Sequence, residues 1–232
     1  MKKIASVLLM SVFFNAQVAF SSEHEAAKAS SSPPALQLLL EGNKQFAQKG
    51  VVRNLDKMVS VKRRTELALV QKPFAVVIAC SDSRVSPELL FDKGLGEIFV
   101  VRVAGNIVGS HELGSVEYAV EHLGAKLVMV LGHERCGAVT ATYNAHLAGN
   151  KVEGNIGSLV DSIDPAVTTA LAHGATGNKA EIIEQCTLEN IRLVAHEIET
   201  SSPILKEAIE KGHLQLVKAY YDLDNGKVSV IQ

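Results

Sequence analysis

A chain of 232 residues with 47% hydrophobic and 21% charged side chains can bury one large core and has the balance of a globular protein. Its formal net charge of -2, 5% aromatics and lack of Trp exclude the basic, base-stacking surface that nucleic acid requires. Three cysteines cannot all pair, which excludes a disulfide framework.

The chain opens with Lys2 and Lys3, an apolar run from Ile4 to Phe14 and the small-residue stretch Ala19-Phe20-Ser21, the three parts of a secretory leader. The apolar run is about 11 residues, well short of the roughly 20 that span a bilayer. These features predict a cleaved signal peptide over residues 1–21 and a periplasmic mature form with no membrane contact. From Glu23 to Pro34 the composition turns to Ala and Ser with two prolines. A flexible tether is therefore expected over 22–34, ahead of a single domain over 35–232.

Residues 35–48 carry apolar side chains at helical spacing and stop near Gly50, which predicts a helix. The run from Phe74 to Ala79 is short, β-branched, preceded by Pro73 and ended by Cys80, the pattern of a buried strand. Ile98 to Val101 and Leu127 to Leu131 repeat it, with helical patterns from Pro87 to Phe91 and from Leu113 to His122 between them. A further helix is expected from about Cys136 towards Leu147. Three more helical stretches follow, Ile156 to His173, Lys179 to Thr200 and Pro203 to Lys211. Strands from Leu214 to Tyr221 and Val228 to Ile231 then flank the hairpin signal Asn225-Gly226. Continuous apolar strands alternating with helices predict an α/β fold with a central, mostly parallel β-sheet flanked by helices. Such sheets bind ligands beyond the carboxyl ends of their strands, where Cys80 and His133 fall.

Two motifs leave those strand ends, Cys80-Ser81-Asp82-Ser83-Arg84 and Gly132-His133-Glu134-Arg135-Cys136-Gly137. Cys80, His133 and Cys136 offer two thiolates and an imidazole, a donor set suited to zinc. His-x-x-Cys brings two of these donors to the start of a helix, where the partial positive charge favours a thiolate over a thiol. Three protein ligands leave a fourth position open, as in catalytic zinc sites, and water there ionises near pH ~7. Asp82, two residues from a ligand, can accept that water's hydrogen bond, and Arg84 can hold Asp82 ionised. Cys186 has no matching motif and reads as a buried structural thiol. Glu112, Glu117 and Glu121 recur near helical spacing and read as a solvated or interface face.

With Gln71 nine residues before Cys80, these motifs resemble the β-class carbonic anhydrases, from Gln71 through Gly137 and more loosely across the flanking helices. The resemblance implies one zinc per subunit on Cys80, His133 and Cys136, with Asp82 and Arg84 as the catalytic dyad. It also implies a carbon dioxide and bicarbonate pocket made by Gln71, Phe99, Ala104, Tyr118 and the Gly137 amide. Ala104 stands where the family often has Val, and Phe99 and Tyr118 match residues that line the pocket across a dimer interface. The implied activity is zinc-hydroxide-catalysed reversible hydration of carbon dioxide to bicarbonate and a proton. The implied assembly is a homodimer or homotetramer, with the helix from about Ala35 packing on the partner. Members gated by bicarbonate carry a Trp where Val77 stands here, so the resemblance is to the plant-type branch, with Asp82 paired to Arg84 and the fourth metal position open. A carbon disulfide or carbonyl sulfide hydrolase on the same scaffold would carry the same motifs. A non-enzymatic zinc-binding module would need the three ligands but not Asp82, Arg84 or Gln71.

Overall fold

The computed structural model describes residues 34–49 and 55–232. The signal peptide expected over 1–21 and the tether expected over 22–34, apart from Pro34, lie outside the described residues. Among the described residues, β1 (Ala75–Ala79), β2 (Ile98–Arg102), β3 (Leu127–His133), β4 (Gln215–Tyr221) and β5 (Val228–Val230) form one sheet in the order β2-β1-β3-β4-β5. All neighbours are parallel except β5, which returns antiparallel on β4. The expected mostly parallel α/β architecture is therefore the observed one.

The apolar runs are continuous because both faces of the central strands are covered. Ala75, Val77 and Ala79 of β1 join Leu127, Met129 and Leu131 of β3 on one face, under Leu39 of α1 (Ala35–Lys49) and Leu90 and Phe91 at the end of α4 (Pro87–Leu90). Val76, Ile78, Val128 and Val130 point the other way. They meet Val116 of α5 (Ser110–Glu121), Ile191 and Val194 of α8 (Lys179–Ser201) and Leu205 of α9 (Pro203–Glu210). Each fully buried Val, Ile or Leu contributes about 1.5–3 kcal/mol of transfer free energy, so the two middle strands are the strongest part of the sheet. A third apolar cluster lies under α6 (Gly137–Ala148), α7 (Gly154–Ala172) and α8, and it contains Cys80, Cys136 and Cys186. Cys186 is fully buried there, as expected of a structural thiol.

Two short helices, α2 (Leu55–Met58) and α3 (Val61–Leu67), were not predicted from the pattern. Their sequence has no apolar stripe, and α3 buries none of its residues. Hydrogen bonds hold it instead: Ser60 Oγ accepts from the Arg63 amide at 3.1 Å, and the Arg63 guanidinium donates to the distant Leu95 carbonyl. The start of α5 lies ahead of its apolar pattern because Glu112 caps it, accepting the Gly109 amide at 2.9 Å. Glu117 is not merely a solvated side chain, since it accepts a hydrogen bond from Ser202 Oγ at 2.6 Å and ties α5 to the start of α9.

The two ends of the domain meet at one side chain. Asn43 of α1 is buried, donates through Nδ2 to the carbonyls of Leu90 and Gly226, and accepts the Val228 amide at 2.8 Å. One carboxamide thus joins α1, α4 and the β4–β5 hairpin.

Candidate metal centre

The end of β1 delivers Cys80 and the end of β3 delivers His133, on neighbouring strands whose register sets Ala79 beside Leu131. Parallel pairing of adjacent strands therefore brings together two motifs about fifty residues apart. Gly132 lets α8 close over this end of the sheet, since a Cβ there would lie 2.6 Å from two atoms of Ile191. His133 is the last residue of β3 rather than part of a helix, and Cys136 is the N-cap of α6. The turn between them puts Arg135 in the left-handed region, at a φ of 51°. Arg135 is held there by a fork to Asp224, at 2.9 and 2.6 Å, while Glu134 accepts the Leu223 amide. Both bonds anchor the turn to the β4–β5 hairpin.

Cys80, His133 and Cys136 are buried, and their ligand atoms lie within 4.8 Å of one another. His133 Nδ1 bonds the Glu134 carbonyl at 2.9 Å, so Nδ1 carries the proton and Nε2 keeps its lone pair. That Nε2 is buried and has no hydrogen-bond partner. An unpaired nitrogen facing two sulfurs is costly unless it is a ligand. The donor set fits zinc, and an imidazole fixed in this tautomer is the form that binds it. The neighbouring Cys136 sulfur pushes the Cys80 thiol down, while the Cys80 sulfur and burial push the Cys136 thiol up. The Gly105 amide supports the Cys80 thiolate directly, donating to Sγ at 3.2 Å.

Asp82 and Arg84 form the fork expected of them. Arg84 Nε donates to Oδ1 at 2.9 Å and its terminal nitrogen to Oδ2 at 2.7 Å, while the Arg84 amide also donates to Oδ1 at 2.9 Å. The guanidinium beside Asp82 lowers its carboxyl to about 2. Asp82 Oδ2 lies 3.9 Å from His133 Nε2, so the carboxylate sits at the rim of the cluster. Arg84 also reaches the Arg135 carbonyl at 3.4 Å and so bridges the two motifs.

The residues assigned to the pocket do not all gather here. Gly137, the first residue of α6, and Ala104, at the start of a one-turn 3₁₀ segment (Ala104–Asn106), lie in the chain next to atoms of the cluster. Phe99 is half-buried on β2, the edge strand. Gln71 and Tyr118 instead line a separate groove of about 640 Å³ with Leu67, Leu69, Val70 and Leu123, and none of Cys80, Asp82, His133 or Cys136 lines it. Tyr118 is 48% exposed and packs against the His122 ring at 5.3 Å.

Sequence reasoning missed Arg102. Its Nε donates to the Cys80 carbonyl at 3.0 Å and its terminal nitrogen to the Asp82 carbonyl at 2.8 Å, which pins the backbone on both sides of Ser81. A lone Arg ending an apolar run carries no local signal of this.

Comparison with known proteins agrees with the geometry. A family model described as carbonic anhydrase matches residues 75–228. Carbonic anhydrase 2 of Mycobacterium tuberculosis is 37% identical over 193 residues, 83% of this chain and 89% of that one. The β-carbonic anhydrase of Coccomyxa, solved in complex with acetazolamide, is 28% identical with a TM-score of 0.65, covering 86% of this chain and 87% of that one. One of two tetrameric β-carbonic anhydrases of Sordaria macrospora has the same fold, with a TM-score of 0.65 at 22% identity over 84% of this chain and 96% of that one. With its family match, its similar relative and its Cys-His-Cys cluster at the carboxyl ends of parallel strands, the chain belongs to the β-class carbonic anhydrase family.

Proposed function

We propose that the chain catalyses the reversible hydration of carbon dioxide to bicarbonate and a proton, with one zinc held by Cys80, His133 and Cys136. The observation that carries this reading is the buried His133 Nε2, unpaired and within 4.8 Å of two cysteine sulfurs. When bound, zinc supplies a Lewis-acidic position at which water loses a proton near neutral pH. Asp82 would accept a hydrogen bond from a water held there and so turn the oxygen lone pair towards substrate. With its carboxyl at about 2, it is a poor base at neutral pH. It would aim the oxygen rather than take its proton. Arg84 keeps the carboxylate turned and ionised, and Arg102 holds the backbone beneath it. The Gly137 amide, in the first turn of α6, is free of the helix ladder and suited to a substrate oxygen.

Gln71, Phe99, Ala104 and Tyr118 complete the carbon dioxide pocket in this reading, with Phe99 and Tyr118, as the resemblance implies, and also Gln71, which shares Tyr118's groove, coming from a second copy. Their groove lies away from the chain's own cluster, next to Leu69 and Val70, which are 98% and 54% exposed. Phe99 stands on β2, an edge strand of the sheet. An exposed apolar face beside an edge strand is what an interface between copies would cover. The functional unit is therefore a homodimer, or a homotetramer built from it. Gln71, Val77 in place of a Trp, and the Asp82–Arg84 fork support the plant-type branch with an open fourth metal position. Lys2, Lys3 and the apolar run after them support export to the periplasm through a cleaved leader.

Metal analysis combined with stopped-flow carbon dioxide hydration tests the activity. One zinc per chain and fast hydration are expected, and Cys80→Ser should lose both. A zinc-loaded protein with no hydration, or one that instead releases sulfide from carbonyl sulfide or carbon disulfide, would refute it. Neither that hydrolase nor a non-enzymatic module gains an observation of its own, and a bare zinc module has no use for the Asp82–Arg84 fork. N-terminal sequencing of the periplasmic fraction tests export, and sedimentation tests the assembly.

A further inference from the structure

Cys80 Sγ receives the Gly105 N–H at 3.2 Å, from a turn that the sheet no longer holds. Gly105 has a φ of 78°, and a Cβ there would sit 2.5 Å from Ile163 Cδ1 and 3.2 Å from Ala138 Cβ. Its carbonyl is gripped from far away in the sequence. Asn190, 85 residues later in the middle of α8, donates from Nδ2 to Gly105 O at 2.8 Å.

Asn190 is fully buried, and its neighbours on α8, Ile191 and Val194, belong to the apolar core. Burying a carboxamide among such side chains costs free energy unless its groups are paired. Its Oδ1 has no partner, so the bond to Gly105 is its one compensation. If α8 needed only packing at this position, an apolar side chain of the same size would serve better. The polar group is explained by what it holds.

We propose that Asn190 is a positioning residue for the metal centre: it fixes the Gly105 peptide so that the Gly105 N–H stays on the Cys80 sulfur. Two thiolates neutralise most of the charge of a divalent cation. An N–H bond to one of them draws electron density from the sulfur and leaves the cation more acidic. Helix α8, which supplies no ligand, thereby tunes the centre through a single peptide.

This inference rests on the metal-site reading, and the test separates the two. Full-length Asn190→Leu is loaded with cobalt(II), and its sulfur-to-cobalt charge-transfer band is compared with that of the unsubstituted protein. The band should move to lower energy, and zinc should be lost to a competing chelator about ten- to hundred-fold more readily. In the zinc form kcat should fall by a similar factor with KM little changed. Thr187→Val, one turn earlier on the same buried face, should lower stability without moving the band. An unmoved band in Asn190→Leu, or an equal shift in Thr187→Val, overturns the proposal. Should Asn190→Leu not fold, the unsubstituted protein loaded with an NMR-active cadmium isotope decides. Coupling between the metal and the Gly105 amide proton is expected across the N–H···S bond, and its absence overturns the proposal. A protein that binds no metal fails both readings. One that binds zinc and hydrates carbon dioxide without that coupling fails this one alone.

Discussion

Replacing Gly105 with Ala tests how tightly the turn beside Cys80 is built. A left-handed φ of 78° costs an L-residue about 1–2 kcal/mol. The new methyl would also meet Ile163 Cδ1 at 2.5 Å, and Ile163 is fully buried, so the clash has no outlet to solvent. Overpacking of this kind costs about 1–3 kcal/mol, which brings the total to about 2–5 kcal/mol, a large part of the roughly 5–15 kcal/mol typical of a domain. Ile163→Val deletes the clashing atom and by itself costs about 0.5–1.5 kcal/mol. The double variant should therefore be more stable than additivity allows, by about the overpacking share of 1–3 kcal/mol. Urea unfolding in excess zinc at one protein concentration measures this, because metal and self-association both shift stability by mass action. Additive losses, or a Gly105→Ala cost under about 0.5 kcal/mol, would refute the packing argument.

Arg84→Gln should keep zinc but lower kcat/KM about ten- to hundred-fold by freeing Asp82; a rate within twofold of the original would show that the fork is not needed. Chelation should abolish hydration and lower the unfolding midpoint, with zinc restoring both; activity surviving complete metal removal would contradict the metal reading. Metal-free protein treated with hydrogen peroxide should form a Cys80–Cys136 disulfide, two thiols losing two hydrogens as peroxide becomes water, and mass spectrometry of digests should find far less of it after zinc loading. Glu197 is half-buried, and that burial raises its carboxyl above the usual range. Its ionisation therefore disfavours the folded state, an effect absent at pH values where both states are protonated and full above the folded-state value. Glu197→Gln should raise the unfolding midpoint at neutral pH, with the gain vanishing in acid; a pH-independent effect would count against this.

The parts of the fold legible in the sequence are those whose cause is local. β1 and β3 announce themselves because both faces of each are buried, and α8 because its helical pattern runs unbroken from Lys179 to Thr200. The metal cluster was legible because each ligand lies in a short motif at a strand end. What was hidden depends on contacts distant in sequence or on polar bonds without a pattern. Arg102 reaches back to Cys80 and Asp82, Asn190 reaches Gly105, and α3 lies outside the apolar core altogether. Nor does the spacing of the motifs show that Gln71 shares a groove with Tyr118 that lies apart from the chain's own ligands.

The carboxamide that joins the two ends of the domain sets an order of events. Asn43 bonds partners 183 and 185 residues further along. A chain made from its N-terminus at about 5–20 residues per second presents α1 on the order of ten to forty seconds before the hairpin that completes it. The strand bearing His133 also waits, because it pairs with Tyr221 through its final residue and the Glu134 amide bonds the Tyr221 carbonyl. Until the hairpin emerges, α1 can rest on α4 and β1 but its buried carboxamide is incomplete, and the metal-binding turn lacks its bonds to Leu223 and Asp224. The hairpin is thus the latch, made last, that completes both the fold and the site.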